Sequence, residues 1–182
     1  MARDKHKVAE NVDGHIKKKE IIENHPTISS LATLFLQKGE RDLQVATANF
    51  DFGKEEKSTN LKSAFFNWVI VISYYSMFHS ARGALAKIKV YVSDEHVHET
   101  VLNGMYHYYA YSGVIEKKIY YMLEDAKEAR DKAIKLIEKL EAARKNRGDV
   151  NYEVAQAVIE RTAKSSIDNA KEFIEVMRAL IK

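Results

Sequence analysis

The chain has 182 residues, of which 46% are apolar and 30% charged, with seven glycines, one proline and no cysteine. That length buries a sizeable core in one domain without disulfides or a structural metal, and the lack of cysteine excludes thiolate catalysis and Cys-ligated zinc or iron-sulfur clusters. Lys plus Arg number 29 against 26 Asp plus Glu, a net charge of +3, so bulk charge does not mark a nucleic-acid binder and any basic footprint has to be local.

With so few glycines and prolines the chain has few places to turn, which predicts an all-α fold of long helices. Residues 1 to 27 carry Lys17, Lys18, Lys19 and scattered acids with few apolar anchors, and read as a charged N-terminal arm or frayed helix. No secretory signal is visible there, and the longest apolar stretch, residues 65 to 75, is too short to span a bilayer; a cytoplasmic location away from membranes is expected. Residues 28 to 182 are then the domain proper.

After Pro26, Thr27 is placed to cap a first long helix over 28 to about 50, with Ile28, Leu31, Leu34, Phe35, Leu43, Ala46 and Phe50 at helical spacing. Asp51, Phe52, Gly53 and a polar run form a connection. A second helix follows over about 61 to 88, apolar around much of its circumference, as a central helix is. Val90, Tyr91 and Val92 read as extended, Ser93 or Asp94 as the cap of a short helix over 95 to 110, and Gly113 as its stop.

Ile115, Ile119, Met122, Ala126, Ala129, Ala133, Leu136, Leu140 and Ala143 then alternate spacings of four and three, an apolar seam of coiled-coil type. Arg144, Lys145, Arg147 and Gly148 end this third long helix. A fourth, over about 152 to 181, carries Ala155, Ile159, Thr162, Ser166, Ala170, Phe173, Met177 and Leu180 on one side. The expected architecture is an antiparallel up-down bundle of four long helices plus a short one.

Four constellations hold chemistry. Arg144, Asn146, Arg147, Asp149, Asn151 and Tyr152 crowd the turn between the last two helices, where two guanidiniums and a polar turn suit a phosphate; the alternative is that these residues merely cap the helices. On the second helix Tyr75, His79 and Arg82 share a face at i, i+4 and i+7 and could line a polar groove, or His79 could be a hydrogen-bonded core residue. His96 and His98 beside Asp94, Glu95 and Glu99 have metal-ligand residue types, but an i, i+2 pair diverges on a helix and no third ligand is evident, so no metal site or cofactor is expected. Tyr106, Tyr108, Tyr109, Tyr111, Tyr120 and Tyr121 form a cluster suited to base stacking or, preferably, to an oligomer interface.

The segment Tyr74-Tyr75-Ser76-Met77-Phe78-His79-Ser80-Ala81-Arg82-Gly83-Ala84-Leu85 is similar to the Tyr-Tyr-x-Met-Phe-x-Ala-Ala-x-x-Leu helix of the HEPN domains, the helical family named for higher-eukaryote and prokaryote nucleotide binding. The stretch from His96 to Gly113 resembles that family's His-containing segment, and Arg147 through Asp149 to Tyr152 resembles the Arg-x-x-Ala-Asp-Tyr ending of one prokaryotic branch, with different spacing. The resemblance covers residues 28 to 181. It implies a homodimeric bundle that binds RNA or a nucleotide phosphate, working with a minimal nucleotidyltransferase in a toxin-antitoxin or defence module.

Many such domains are metal-independent ribonucleases with an Arg-x4 to x6-His motif at the last interhelical turn. Counted from Arg144 the histidine slot falls on Asp149, Val150 or Asn151, and from Arg147 on Tyr152, Glu153 or Val154; no histidine follows His107. A phenol with pKa near ~10 is a weak base at neutral pH, so the resemblance carries phosphate binding to Arg144 and Arg147. Cleavage using Arg147 and Tyr152, or a histidine from elsewhere, is the alternative, and a non-catalytic protein-interaction module the second.

Overall fold

The computed structural model describes the backbone of residues 5–146 and 153–182 and the side chains of 7–138 and 157–182. Its axis is α3 (Thr59–Lys87), around which α2 (Ala32–Glu55), α5 (Lys117–Asn146) and α6 (Glu153–Ile181) pack. α3 is apolar on every side: Phe66, Val69, Tyr74, Met77, Ala81, Ala84 and Leu85 are all buried, which is why its sequence shows no single stripe. α2 touches α6 as well as α3, whereas α5 and α6 rest on α3 and scarcely touch each other. The all-α bundle expected from the sequence is what the chain forms, and no helix among the described residues is long and apolar enough to cross a membrane.

Close approach of α2 to α3 depends on glycine. A Cβ on Gly39 would lie 2.2 Å from Ser80 Oγ and 2.6 Å from the Ser76 carbonyl oxygen, and one on Gly53 2.8 Å from the Phe66 ring. The sequence pattern puts Gly53 in a connection, but α2 continues through it to Glu55, because an absent side chain lets the helix end lie against Phe66. At the far end of the bundle, Lys87 Nζ donates to the Ile181 carbonyl at 2.5 Å, a cation on the C-terminus of α6. Arg178 of α6 pairs with Glu40 of α2 at 2.9 Å.

The leading segment is part of this core. α1 (Lys5–Lys17) buries Val8 and Val12, and β1 (Ile21–Ile22) pairs antiparallel with β2 (Tyr91–Val92), Ile21 opposite Val92. The apolar anchors are few, but Val8, Val12 and Ile16 recur every four residues on one helical face, so the segment docks as a helix. Glu20, buried between them, accepts from His15 Nδ1 at 2.5 Å and from His96 Nδ1 at 3.1 Å, and Asn103 Nδ2 donates to His15 Nε2 at 3.0 Å. The hydrogen bond from His15 holds the Glu20 carboxyl below its ordinary pKa, against the opposing effect of burial.

β2 leads to α4 (Val97–Met105), continued by a π-helical turn over residues 106–110. The cap of α4 is His96, in the left-handed region at φ 48°, and not Ser93 or Asp94. The tyrosines beyond it pack inward: Tyr106, Tyr109 and Tyr120 are buried, and Tyr109 donates to the Ala84 carbonyl at 2.6 Å, so they build this chain's own core, with Tyr111 left outward. On α5 the coiled-coil seam is broken, because α5 packs on α3 instead of pairing with α6: Ile119, Leu123 and Ala133 are buried while Leu136 is 40% exposed. The buried stripe of α6 is correspondingly Ala163, Ile167, Ala170, Ile174, Met177 and Ile181 together with Phe173, one notch round from the expected side.

Candidate functional site

Of the predicted anion turn, Arg147, Asp149, Asn151 and Tyr152 lie outside the described residues, and so do the side chains of Arg144 and Asn146, whose backbone ends α5. The described chemistry gathers around α3 instead. Asp42 lies on the face of α2 that Gly39 and Ala46 turn toward α3, and there His79 Nδ1 donates to its carboxylate at 2.7 Å. His79 Nε2 has no hydrogen-bond partner among the described residues. Burial holds the His79 pKa below the ordinary imidazole value in spite of Asp42, so the ring is neutral at pH 7 with its Nε2 lone pair available. Tyr75 stacks beside it, ring centroids 6.0 Å apart.

Next to this pair sits a second cluster whose members are far apart in the sequence. Arg130 of α5 donates from Nη1 to His98 Nε2 at 3.1 Å, and its guanidinium lies 4.7 Å over the Tyr74 ring. Arginine cannot accept a hydrogen bond, so His98 must carry its proton on Nδ1 and donate it to the Tyr74 hydroxyl, 2.7 Å away. Asp131 holds the other side of Arg130. Phe78 joins the two clusters, its ring centroid 4.7 Å from that of His98 and 5.3 Å from that of His79. Lys38 and Arg82 act electrostatically on His79, and Lys127 and Arg130 on His98.

Burial first, then Arg130 and Lys127, bring the His98 pKa down to about 4 from the 6.5 of a free imidazole. The folded state therefore disfavours the protonated ring. Stability associated with His98 is complete above pH 6.5 and is lost as the pH falls toward 4, because the unfolded chain takes up the proton first. Urea unfolding between pH 7.5 and 4.5 should show this loss, and His98→Gln should flatten it; an equal slope in the two proteins would remove His98 as its source.

Of the residues singled out in the sequence, Tyr75 and His79 do share a face, and His79 meets a polar partner in Asp42. Arg82 does not join them in a groove: it donates to the Val92 carbonyl at 3.2 Å and lies 4.9 Å over Phe35, fastening β2 to α3. His96 and His98 part company, one toward Glu20 and the other toward Tyr74. Among the described residues no group of three or more His, Asp or Glu side chains is placed to hold a metal ion. Sequence reasoning misses Asp42 and Arg130, although each leaves a trace: a carboxylate on the buried stripe of α2 and a guanidinium within the alanine-rich part of α5.

Arg144 lies ~21 Å further along α5 than Arg130, which puts the end of that helix far from His98 in the same chain. Compared with known proteins, the chain matches no family model, no curated protein and no solved structure.

Proposed function

We propose that the chain is an RNA- or nucleotide-phosphate-binding helical domain of HEPN type, acting in the cytoplasm as a homodimer with a minimal nucleotidyltransferase partner. The observation that carries this reading is the uncommitted His79 Nε2 beside the Tyr75 ring, with Lys38 acting on it as positive charge. Positive charge interleaved with aromatic surface is what a single-stranded nucleic acid engages without sequence readout. The sequence adds Arg144 and Arg147 to the cations of this reading, with Asn146, Asp149 and Asn151 as their polar neighbours along the chain.

The Asp42–His79 pair also favours a second reading, a metal-independent ribonuclease, since a carboxylate that orients an imidazole leaves its other nitrogen ready to take a proton. The length of α5 between Arg130 and Arg144 then requires the arginines of a second protomer, or Arg147 and Tyr152 acting without His98.

Fluorescence anisotropy with a labelled single-stranded RNA tests the binding. The double variant Arg144→Ala with Arg147→Ala should bind at least about tenfold more weakly, with the slope of log affinity against log salt reduced by about 0.7 for each phosphate that is no longer neutralised. Unchanged affinity and slope would remove the turn from the site. Cleavage of mixed RNAs in EDTA that is lost in His79→Ala would select the ribonuclease reading, and a folded protein that leaves every RNA intact would count against it.

A further inference from the structure

A trough runs along the flank of α5 turned away from Arg130, with α6 as its other wall and α3 as its floor. Its volume is about 480 Å³. The bed is apolar, formed by Ile70, Ala129, Ala133, Leu136, Val158 and Ile159. Leu136 and Val158, 40% and 62% exposed, stand on opposite walls, an arrangement that leaves hydrocarbon uncovered among the described residues. At the floor the Asn67 side chain donates to the Ser63 carbonyl at 2.9 Å, while its own oxygen is buried and has no partner. Buried polar atoms seldom go unpaired, and this one borders the trough.

The trough's charged residues all stand on its α5 rim. Asp125 and Glu128 stand at one end and Lys132 one turn further, and none of the three makes an ion pair or hydrogen bond among the described residues, although Glu128 and Lys132 are spaced to pair with each other. The charges are thus unspent among the described residues. From Asp125 to Leu136 is ~16 Å of helix axis, about three turns. Ala129, only partly buried, leaves the α5 wall thin enough for another backbone to come near.

We infer that the trough seats one amphipathic helix of a protein partner, its apolar stripe laid on Ile70, Leu136, Val158 and Ile159 and its arginine or lysine set against Asp125 and Glu128. A phosphate chain is excluded by the acidic end and gains nothing from the bed. A second copy offering the same face would set two concave surfaces against each other and fill neither. A helix, by contrast, fills the gap between α5 and α6, meets the carboxylates with cations and continues the bundle around α3, which is the helix-in-groove mode of recognition. The inference goes beyond RNA binding and shares none of its residues.

The full chain can be titrated against a fluorescein-labelled synthetic helix of about 18 residues, on the order of five turns, with leucines three and four apart and two arginines near one end of that stripe. A control peptide carries glutamates in place of the arginines. The arginine peptide should bind the native protein at least about tenfold more tightly than the control. Asp125→Lys with Glu128→Lys should reverse that order, and Val158→Glu should weaken both peptides; circular dichroism verifies that each variant is folded.

Equal affinities, no binding, or a preference unmoved by the charge reversal would overturn the assignment. So would sedimentation in which Val158→Glu converts a dimer of the protein alone into a monomer, since the trough would then belong to a second copy. Loss of RNA binding in Arg144→Ala with Arg147→Ala is read separately and leaves these outcomes unchanged.

Discussion

Replacing Gly39 with valine is expected to destabilise the fold by about 3 kcal/mol, at the upper end of what overpacking a closed interface costs. The first added carbon alone would meet Ser80 Oγ at 2.2 Å and the Ser76 carbonyl at 2.6 Å. Ser80→Ala removes the first of these clashes and leaves the second, which is with backbone, so it should rescue Gly39→Ala only in part. One turn further on, the same displacement of α2 stretches the 2.7 Å bond between His79 and Asp42. The downfield Nδ1 proton of His79 should therefore disappear from the NMR spectrum of the variant as its urea midpoint falls. A midpoint within error of the native protein would show that α2 does not depend on close approach at Gly39.

Truncating Phe173 to alanine is expected to be still more costly, about 3–5 kcal/mol, the range for deleting a buried ring. Phe173 has no exposed surface, and it lies on α6 where that helix packs on α3. Its neighbours on the same stripe, Ala170, Ile174 and Met177, are equally enclosed, so the cavity cannot collapse without moving α6 as a whole. The contrast is Lys164→Ala, which breaks an exposed 2.8 Å pair with Asp168 and should cost about 0.3–0.5 kcal/mol. Thermal and urea unfolding of the two variants side by side measures the difference; similar midpoints would mean that α6 is held from outside this stripe.

The helices are legible in the sequence because apolar periodicity and the shortage of glycine and proline leave little choice, and α3 declares itself as the axis by being apolar all round. What stays hidden is which side of each helix meets which neighbour. The seam on α5 predicts a coiled coil with α6, yet Ala129 and Leu136 line an open trough, because spacing along one helix does not name the helix opposite. The two polar clusters are half legible for the same reason. His79 and Tyr75 stand out within one helix, whereas Asp42 and Arg130 reach them from α2 and α5, and pairings over that distance leave no local pattern. The leading segment looks too charged to dock because its anchors, Val8, Val12 and Ile21, are few and spread among charged and polar residues.

That segment favours one order of assembly over others. Neighbouring stretches of sequence make the α2–α3 hairpin, so it can zip early with little loop to close. The ladder of Ile21 and Ile22 with Tyr91 and Val92, and the Glu20 bridge from His15 to His96, join stations on opposite sides of that hairpin, and closing them costs less loop entropy once the hairpin has brought those stations together. Assembly from the axle outward, with the opening strap buckled last, is the order this topology favours.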